Sequence, residues 1–291
     1  MFFITVIKYF FQAILIYLFF IFIKLIGLTR GRKIFSSLFN IVGPLIKSTP
    51  IINNNLEKFL GPHNDNIKIK TKFEMWSNYG KTFVEYLYLK RFRNTNSHIE
   101  IKGEEILEKI KKKGKPVIFV SGHFANFELM SMELTKKKIN LATIYRPLNN
   151  FFLNPFMEYL RKKYVCQNQI KKGIVGVKNS IAYIKNNFSI ALMIDQRVSE
   201  GKNLPFFQNM ALTTTLPAQI AYKFNLDIVP IYIARKANDN FEMEIYEPLQ
   251  VFNSGDAETN KLNMSLKLNK VIEEMISRNP GQWIWTHNRW K

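Results

Sequence analysis

Two side chains suited to proton transfer, His123 and Glu128, lie five residues apart in the chain. On a single helix that spacing places them on different faces, so they can meet only if His123 lies in a turn and Glu128 in the first turn of a following helix. The segment 121–126 (Ser-Gly-His-Phe-Ala-Asn) is typical of such a turn. The dipole at a helix N-terminus also favours neutral imidazole, the form of histidine that acts as a base. We therefore expect His123 to be a general base whose ring is oriented by Glu128.

The position of His123 after a predicted buried strand distinguishes it from a structural histidine. That strand covers residues 116–120, Arg146 follows a predicted strand at 140–145, and Asp195 follows another at 189–194. In open α/β sheets, ligands bind beyond the carboxyl ends of parallel strands. We therefore predict that these three residues face one crevice. Without this context a His-x-x-x-x-Glu spacing arises often by chance.

The elements that must position these residues alternate between helical and strand periodicity, as in an α/β protein. We predict one soluble domain built on a mixed, mostly parallel sheet flanked by helices. The sequence predicts helices over 72–93, 104–113, 127–138, 154–164, 175–186, 216–224 and 261–278, and further strands over 227–234 and 241–246, the last with the alternation of an antiparallel edge strand.

The motifs of several other enzyme classes are absent from the sequence. There is no His-Glu-x-x-His motif and the four histidines are scattered, which argues against a zinc site. There is no Gly-x-Ser-x-Gly nucleophile elbow, no Walker loop and no Gly-x-Gly-x-x-Gly motif. Cys166 is the only cysteine, so neither an intramolecular disulfide nor a cysteine metal cluster is available. We expect neither a metal nor a cofactor.

The chain is strongly basic, with 42 Lys and Arg against 22 Asp and Glu and a formal charge of +20. Nucleic acid, an anionic membrane surface and an acidic protein or substrate all fit such a charge. The lysine runs at 111–115, 136–138 and 161–172 are either solvated helix faces or docking surfaces. Because no nucleic-acid-binding module is evident, an acidic carrier protein or a phosphorylated lipid is the better functional alternative, and we expect no nucleic-acid partner.

The N-terminal segment has the composition of a membrane helix. From Tyr9 to Leu28 there are 20 residues with Lys24 as the one charge, which is enough to cross a bilayer core of about 30 Å. A spanning helix is the favoured interpretation, and a helix lying in the interface is the alternative. The basic residues Arg30, Arg32 and Lys33 place the bulk of the chain on the cytoplasmic side.

Three segments are predicted along the chain. Residues 1–33 form an N-terminal membrane anchor, residues 34–60 a membrane-proximal apolar segment, and residues 61–291 the α/β domain. At the end of the chain, Trp283, Trp285 and Trp290 are expected to pack against this domain and close it, while the role of His287 stays open.

Five motifs, in order along the chain, resemble those of the late lipid A biosynthesis acyltransferases, the lauroyl and myristoyl acyltransferases. The resemblance extends from the N-terminal anchor to about Trp290. Ala125 and Phe127 stand where the family commonly has Gly and Trp. The matching segments are 76–81 (Trp-Ser-Asn-Tyr-Gly-Lys) with Glu85, 122–128 (Gly-His-Phe-Ala-Asn-Phe-Glu), 145–150 (Tyr-Arg-Pro-Leu-Asn-Asn), 193–196 (Met-Ile-Asp-Gln) followed by 205–207 (Pro-Phe-Phe), and 282–290.

This resemblance implies a glycerolipid-acyltransferase-like fold and transfer of a fatty acyl chain from acyl carrier protein to a hydroxyl group of a lipid A precursor. It implies that His123 removes the hydroxyl proton, that Glu128 orients His123, and that Arg146 stabilises the oxyanion or binds a phosphate. It also implies a bacterial inner-membrane location with the catalytic domain on the cytoplasmic face. The residues expected to bind substrate are Asn126, Asp195 and Gln196.

Two rival functions stay open from the sequence. An acyltransferase of the same superfamily could act on another membrane glycolipid or aminolipid, and its catalytic motif would look the same. A non-enzymatic protein could use the basic face to bind an anionic partner at a membrane surface, and its activity would not depend on His123 or Glu128.

Overall fold

The computed structural model describes residues 2–250 and 256–291. A seven-stranded sheet has the order β1-β9-β8-β2-β5-β3-β4, and all neighbouring strands are parallel except β8 and β9. Strands β6 and β7 form a separate antiparallel hairpin. The strands are β1 Ile99–Lys102, β2 Ile118–Ser121, β3 Leu141–Tyr145, β4 Asn168–Lys171, β5 Ser189–Met193, β6 Lys202–Phe206, β7 Asn209–Thr213, β8 Ile228–Arg235 and β9 Phe241–Ile245.

Eleven helices in the described ranges flank the sheet and precede it. The predicted mixed, mostly parallel sheet flanked by helices is therefore confirmed. The helices are α1 Phe2–Ile26, α2 Leu28–Ile46, α3 Thr49–Leu60, α4 Asp65–Glu85, α5 Leu89–Asn94, α6 Glu104–Lys113, α7 Glu128–Lys136, α8 Asn154–Leu160 with a π-helical turn Arg161–Val165, α9 Ile174–Lys185, α10 Leu216–Phe224 and α11 Ala257–Arg278.

Successive side chains of the central strands point to two different cores. Phe119 of β2 packs into one apolar core with α7, and Ile118 and Val120 pack into the other with α10 and α11. This alternation follows from the two-residue period of a strand. Because both faces are covered by helices, β2 is buried along its whole length, as the continuous apolar run of its sequence indicates.

The sequence pattern located the central elements but missed those at the periphery. The predicted helix over 72–93 begins earlier, at Asp65, and is interrupted by a 3₁₀ turn at Tyr86–Tyr88. Strands β1, β4, β6 and β7 were not predicted, because they are short and only partly buried. Strand β9 pairs antiparallel with β8 as expected, but it is not an edge strand, since β1 lies outside it.

Helix α4 packs closely against α2. A Cβ atom at Gly80 would lie 2.1 Å from the backbone oxygen of Phe35, and one at Gly43 would lie 2.4 Å from the Trp76 ring. Glycine at these two positions therefore allows the helices to approach at backbone distance. The end of α4, with Glu85, reaches Arg235 at the end of β8.

Glu85 is fully buried and joins three parts of the fold. Its carboxylate accepts hydrogen bonds from Arg32 Nε of α2 at 2.7 Å, from Arg235 of β8 (3.1 Å for Nη2), and from Asn126 Nδ2 at 3.0 Å. Arg235 also donates to Asn78 Oδ1 of α4 at 3.0 Å. One buried carboxylate thus balances two guanidinium groups and fixes the segment that carries His123.

We predict that Glu85→Gln lowers the free energy of unfolding by about 3–5 kcal/mol, because it leaves two buried cations without a counter-charge. Thermal unfolding in detergent measures the effect. The matched control is Glu108→Gln, which removes an exposed i,i+3 partner of Lys111 and should leave the melting temperature nearly unchanged. Equal melting temperatures for the two variants would contradict the assigned role of Glu85.

Candidate active site

A cleft of about 560 Å³ opens at the carboxyl ends of β2, β5 and β3. His123 and Arg146, two of the three residues predicted to face one crevice, line it. Its lining is largely apolar and also includes polar and charged side chains. The apolar lining includes Phe127, Ile144, Val177, Leu192, Met193 and Leu216, and the polar lining includes Glu128, Ser131, Arg161, Gln169, Lys172 and Gln196.

Asp195 is the carboxylate that holds His123. Its Oδ1 lies 2.8 Å from His123 Nδ1, and its Oδ2 accepts the backbone N–H of His123 at 2.9 Å. The two residues are 72 positions apart, and they meet because β2 and β5 are parallel neighbours that end together. Asp195 therefore fixes both the backbone and the ring of His123.

The turn that contains His123 packs closely against Asp195. A Cβ atom at Gly122 would lie 2.7 Å from the Phe124 ring and 3.3 Å from the Asp195 side chain, so glycine permits this approach. Ala125 has a φ of 44°, in the left-handed region that favours glycine. Its backbone is secured there, since its N–H donates to Gln282 O at 3.0 Å and its carbonyl accepts from Thr82 Oγ1 at 3.2 Å.

The surroundings of Asp195 keep its carboxyl group ionised. Burial alone would raise its pKa, but the attraction of a protonated His123 ring, the hydrogen bonds from His123 and the indole N–H of Trp283 lower the pKa of Asp195 below its usual value. Trp283 Nε1 donates to Asp195 Oδ2 at 2.7 Å. Because an ionised carboxylate only accepts hydrogen bonds, the Nδ1 of neutral His123 must carry the proton. This leaves Nε2, unprotonated, as the nitrogen available to the cleft.

Glu128, predicted to orient His123, has other partners in the structure. Its Oε1 accepts from Arg161 Nε at 2.7 Å and Nη2 at 2.6 Å, and from the Tyr86 hydroxyl at 2.9 Å. The contact expected from the His-x-x-x-x-Glu spacing is therefore replaced by a His123–Asp195 pair and a Glu128–Arg161 pair. The physical reason is that Glu128 opens α7 and its side chain turns toward the π-helical turn, whereas Asp195 follows the strand beside β2.

The Glu128–Arg161 pair is nearly buried yet borders the cleft. The side chains are 8% and 12% exposed. Burial alone would lower the pKa of Arg161, but the adjacent Glu128 raises it overall. Burial and the charge of Glu128 also raise the pKa of Tyr86, which keeps its hydroxyl protonated and able to donate. The guanidinium of Arg161 is thus a fixed positive charge at the cleft wall.

The remaining predicted site residues divide into those that face the cleft and those that support it. Arg146 is exposed at the cleft, where its Nη2 donates to Asn149 Oδ1 at 3.4 Å, and Gln196 lines the cleft. Asn126 was expected to bind substrate, but it is 1% exposed and donates to Glu85. Asp195, expected likewise to bind substrate, lies behind His123 and is also 1% exposed. Their burial places both in a supporting position.

Sequence reasoning missed several residues that complete the site. From the sequence, Arg161 is only part of a basic run, Trp283 is expected only to close the domain, and His287 has no predicted role. His287 Nε2 accepts the backbone N–H of Arg197 at 2.9 Å, and burial lowers the pKa of His287 to about 4, so the ring is a neutral acceptor. The tail thus fixes the turn at 195–197 from both sides.

A histidine held by a buried carboxylate beside a largely apolar cleft gives this α/β fold a site suited to activating a hydroxyl group. The family model described as "Bacterial lipid A biosynthesis acyltransferase" matches residues 5–291. The chain therefore belongs to the bacterial lipid A biosynthesis acyltransferase family, as the five ordered motifs indicated.

Individual curated relatives are distant. The chain is 23% identical over 250 residues to the lipid A biosynthesis palmitoleoyltransferase of Escherichia coli (strain K12). The aligned region covers 83% of this chain and 78% of that protein. The same values hold for a lipid A biosynthesis acyltransferase of Shigella flexneri. Lipid A biosynthesis acyltransferase 2 of Shigella flexneri is 23% identical over 192 residues, covering 63% of this chain and 58% of that protein.

We predict that Asp195→Asn lowers kcat by roughly 10³–10⁴-fold with little change in KM, because an amide in place of the carboxylate favours the wrong tautomer of His123. Steady-state acyl transfer measures the effect. The comparison variant is Glu128→Gln, which keeps an oxygen acceptor for Arg161. Its kcat should fall less than that of Asp195→Asn. Near-normal kcat in Asp195→Asn together with loss of activity in Glu128→Gln would restore Glu128 as the partner of His123.

Proposed function

We propose that the protein transfers a fatty acyl chain from acyl carrier protein to a hydroxyl group of a lipid A precursor, with His123 as the general base. The observation that carries this proposal is the 2.8 Å contact of His123 Nδ1 with buried Asp195, which commits the other ring nitrogen to the cleft. Family membership supports lipid A as the acceptor class.

The proposed reaction begins when His123 Nε2 takes the proton of the acceptor hydroxyl. The oxygen attacks the carbonyl carbon of the acyl thioester, and the imidazolium that forms is stabilised by Asp195. The C–S bond then breaks, the ester is complete, and the thiolate of the carrier takes the proton from His123. General-base catalysis of this type typically contributes about 10²–10⁴-fold in rate.

Arg161 and Arg146 are suited to different negative charges. Arg161 is held by Glu128 in a nearly buried position, so it can stabilise the developing oxyanion without reorganising. Arg146 is exposed and loosely held at the rim, where it can bind a phosphate of the acceptor. Lys172, also at the cleft, adds to the positive potential. The formal charge of the chain, +20 in total, fits an acidic carrier protein as donor.

The apolar walls of the cleft support a fatty acyl chain as the transferred group. Phe127, Ile144, Leu192 and Leu216 provide a surface that excludes water from the chain. The space beside His123 is thus suited to hold the thioester end of the donor, with the hydrocarbon directed along these walls. No step in this mechanism needs a metal or a cofactor.

Membrane association and location belong to the same proposal. One helix, Phe3–Ile26, is long and apolar enough to cross a membrane by length and composition. We assign residues 1–33 to a membrane anchor, 34–60 to a membrane-proximal segment and 61–291 to the catalytic domain. The basic residues after α1 favour the cytoplasmic face of the bacterial inner membrane.

We predict that His123→Ala abolishes most acyl transfer, with a loss of at least about 10²-fold, while the protein stays folded. Purified protein in detergent is given acyl carrier proteins of several chain lengths and a lipid A precursor, and the acylated lipid is quantified. His63→Ala is the matched control, since His63 is exposed and away from the cleft.

Two outcomes would count against this function. Near-normal transfer by folded His123→Ala would exclude His123 as the base. Folded wild-type protein that acylates a different glycolipid or aminolipid, but not the lipid A precursor, would keep the reaction class and replace the acceptor.

A further inference from the structure

Helix α1 has two apolar faces, and only one of them is covered by the protein. Ala13, Phe20 and Ile23 are buried against the domain. The opposite face carries large apolar side chains that are 41–81% exposed. These follow one another at three- to four-residue intervals and so form a continuous stripe on an α-helix. The exposed stripe consists of Phe3, Ile7, Phe11, Leu15, Leu18, Phe22 and Leu25.

The covered face of α1 is bonded to the catalytic domain along most of its length. At one end, the Tyr88 hydroxyl donates to Ile23 O at 3.2 Å, and Lys24 Nζ donates to Leu87 O at 2.6 Å. Near the other end, Asn150 Nδ2 donates to Tyr9 O at 2.9 Å. The 16 residues from Tyr9 to Lys24 are 15 helical steps, which extend over roughly 22 Å at the rise of 1.5 Å per residue.

The segment that holds the N-terminal half of α1 is irregular and exposes a charged side chain, that of Arg146. It connects β3 to α8 and contains Arg146, Asn149 and Asn150. Tyr17 of α1 donates to the backbone oxygen of Phe152 in this segment at 3.1 Å. The loop and α1 are therefore one packed unit, and neither can change its depth in a membrane without the other.

A helix that crosses the bilayer would carry this loop into the hydrocarbon. Roughly 22 Å of a core of about 30 Å would then be occupied on one side by the domain. Exposed irregular backbone is not found facing lipid at that depth, and charged side chains there are costly. A helix lying along the membrane surface avoids both costs, because its exposed stripe enters the lipid while its covered face stays on the domain.

We propose that α1 lies in the interface of an anionic bilayer and does not cross it. Charge complementarity supports an anionic bilayer, since Lys8 of α1 and Arg30 and Lys33 at the start of α2 are exposed and can meet lipid phosphates. Phe151, 47% exposed and in edge contact with the Tyr9 ring at 5.9 Å, extends the apolar surface onto the domain.

The proposed orientation places the rim of the cleft beside the membrane surface. Arg146 lines the cleft and lies four residues from Asn150, which is bonded to α1. A lipid acceptor then reaches His123 by moving its headgroup into the cleft, without its acyl chains leaving the bilayer. This inference rests on the membrane association in the proposed function, and it adds the depth and direction of insertion.

Cysteine labelling distinguishes the two orientations. In a Cys166→Ser background, Lys8→Cys places a thiol near the start of α1, and Lys112→Cys places one on α6 of the catalytic domain; both lysines are exposed. A membrane-impermeant maleimide is applied to inside-out inner-membrane vesicles and, separately, to right-side-out spheroplasts. We expect both thiols to react from the same side, the side of the domain.

Labelling of Lys8→Cys only from the side opposite Lys112→Cys, or from neither side, would overturn the interfacial orientation. Flotation of both variants with vesicles of phosphatidylethanolamine and phosphatidylglycerol, and their acyl transfer activity, are measured in parallel. Loss of flotation would overturn membrane association itself, whereas flotation and activity with opposite-side labelling would overturn only the orientation.

Discussion

The Asp195 carboxylate is the interaction on which the site depends. It accepts the backbone N–H and ring N–H of His123 and the indole N–H of Trp283, so a strand end, the turn after the neighbouring strand and the C-terminal tail meet at one group. Because these donors keep the buried carboxylate ionised, it also determines which nitrogen of His123 carries the proton. The Asp195 carboxylate therefore sets both the position of His123 and the protonation state of its ring.

A second buried carboxylate, Glu85, supports the same turn from the opposite side. It holds Asn126 directly and Arg235 through two hydrogen bonds. The backbone of Arg235 is in turn paired with the side chain of Gln282, whose own carbonyl accepts the N–H of Ala125. The strained φ of Ala125 persists because these contacts fix it from both directions. The turn that carries His123 is thus held by residues that are buried or half-buried behind the cleft.

The sequence predicts where the candidate site residues lie better than it predicts which side chains pair with each other. His123, Arg146 and Asp195 were located because each follows a predicted strand, and the parallel neighbours β2, β5 and β3 bring those ends together. The partner of His123 could not be read from local spacing, because Asp195 is 72 residues away while Glu128 is only five. Arg161 was missed for a related reason, since a single arginine inside a basic run carries no signal of the buried carboxylate it meets. The orientation of α1 needed the contacts of its covered face, as both of its faces are apolar.

The central claim is that Asp195 holds His123 with the proton on Nδ1 and leaves Nε2 free as the base. The most direct test is ¹⁵N NMR of the imidazole rings in the purified enzyme, with the His123 signals assigned by their loss in His123→Gln. Neutral His123 is predicted to show a protonated Nδ1 and an unprotonated Nε2. A neutral ring with its proton on Nε2 would contradict the account, because that nitrogen could not then accept the proton of a hydroxyl group.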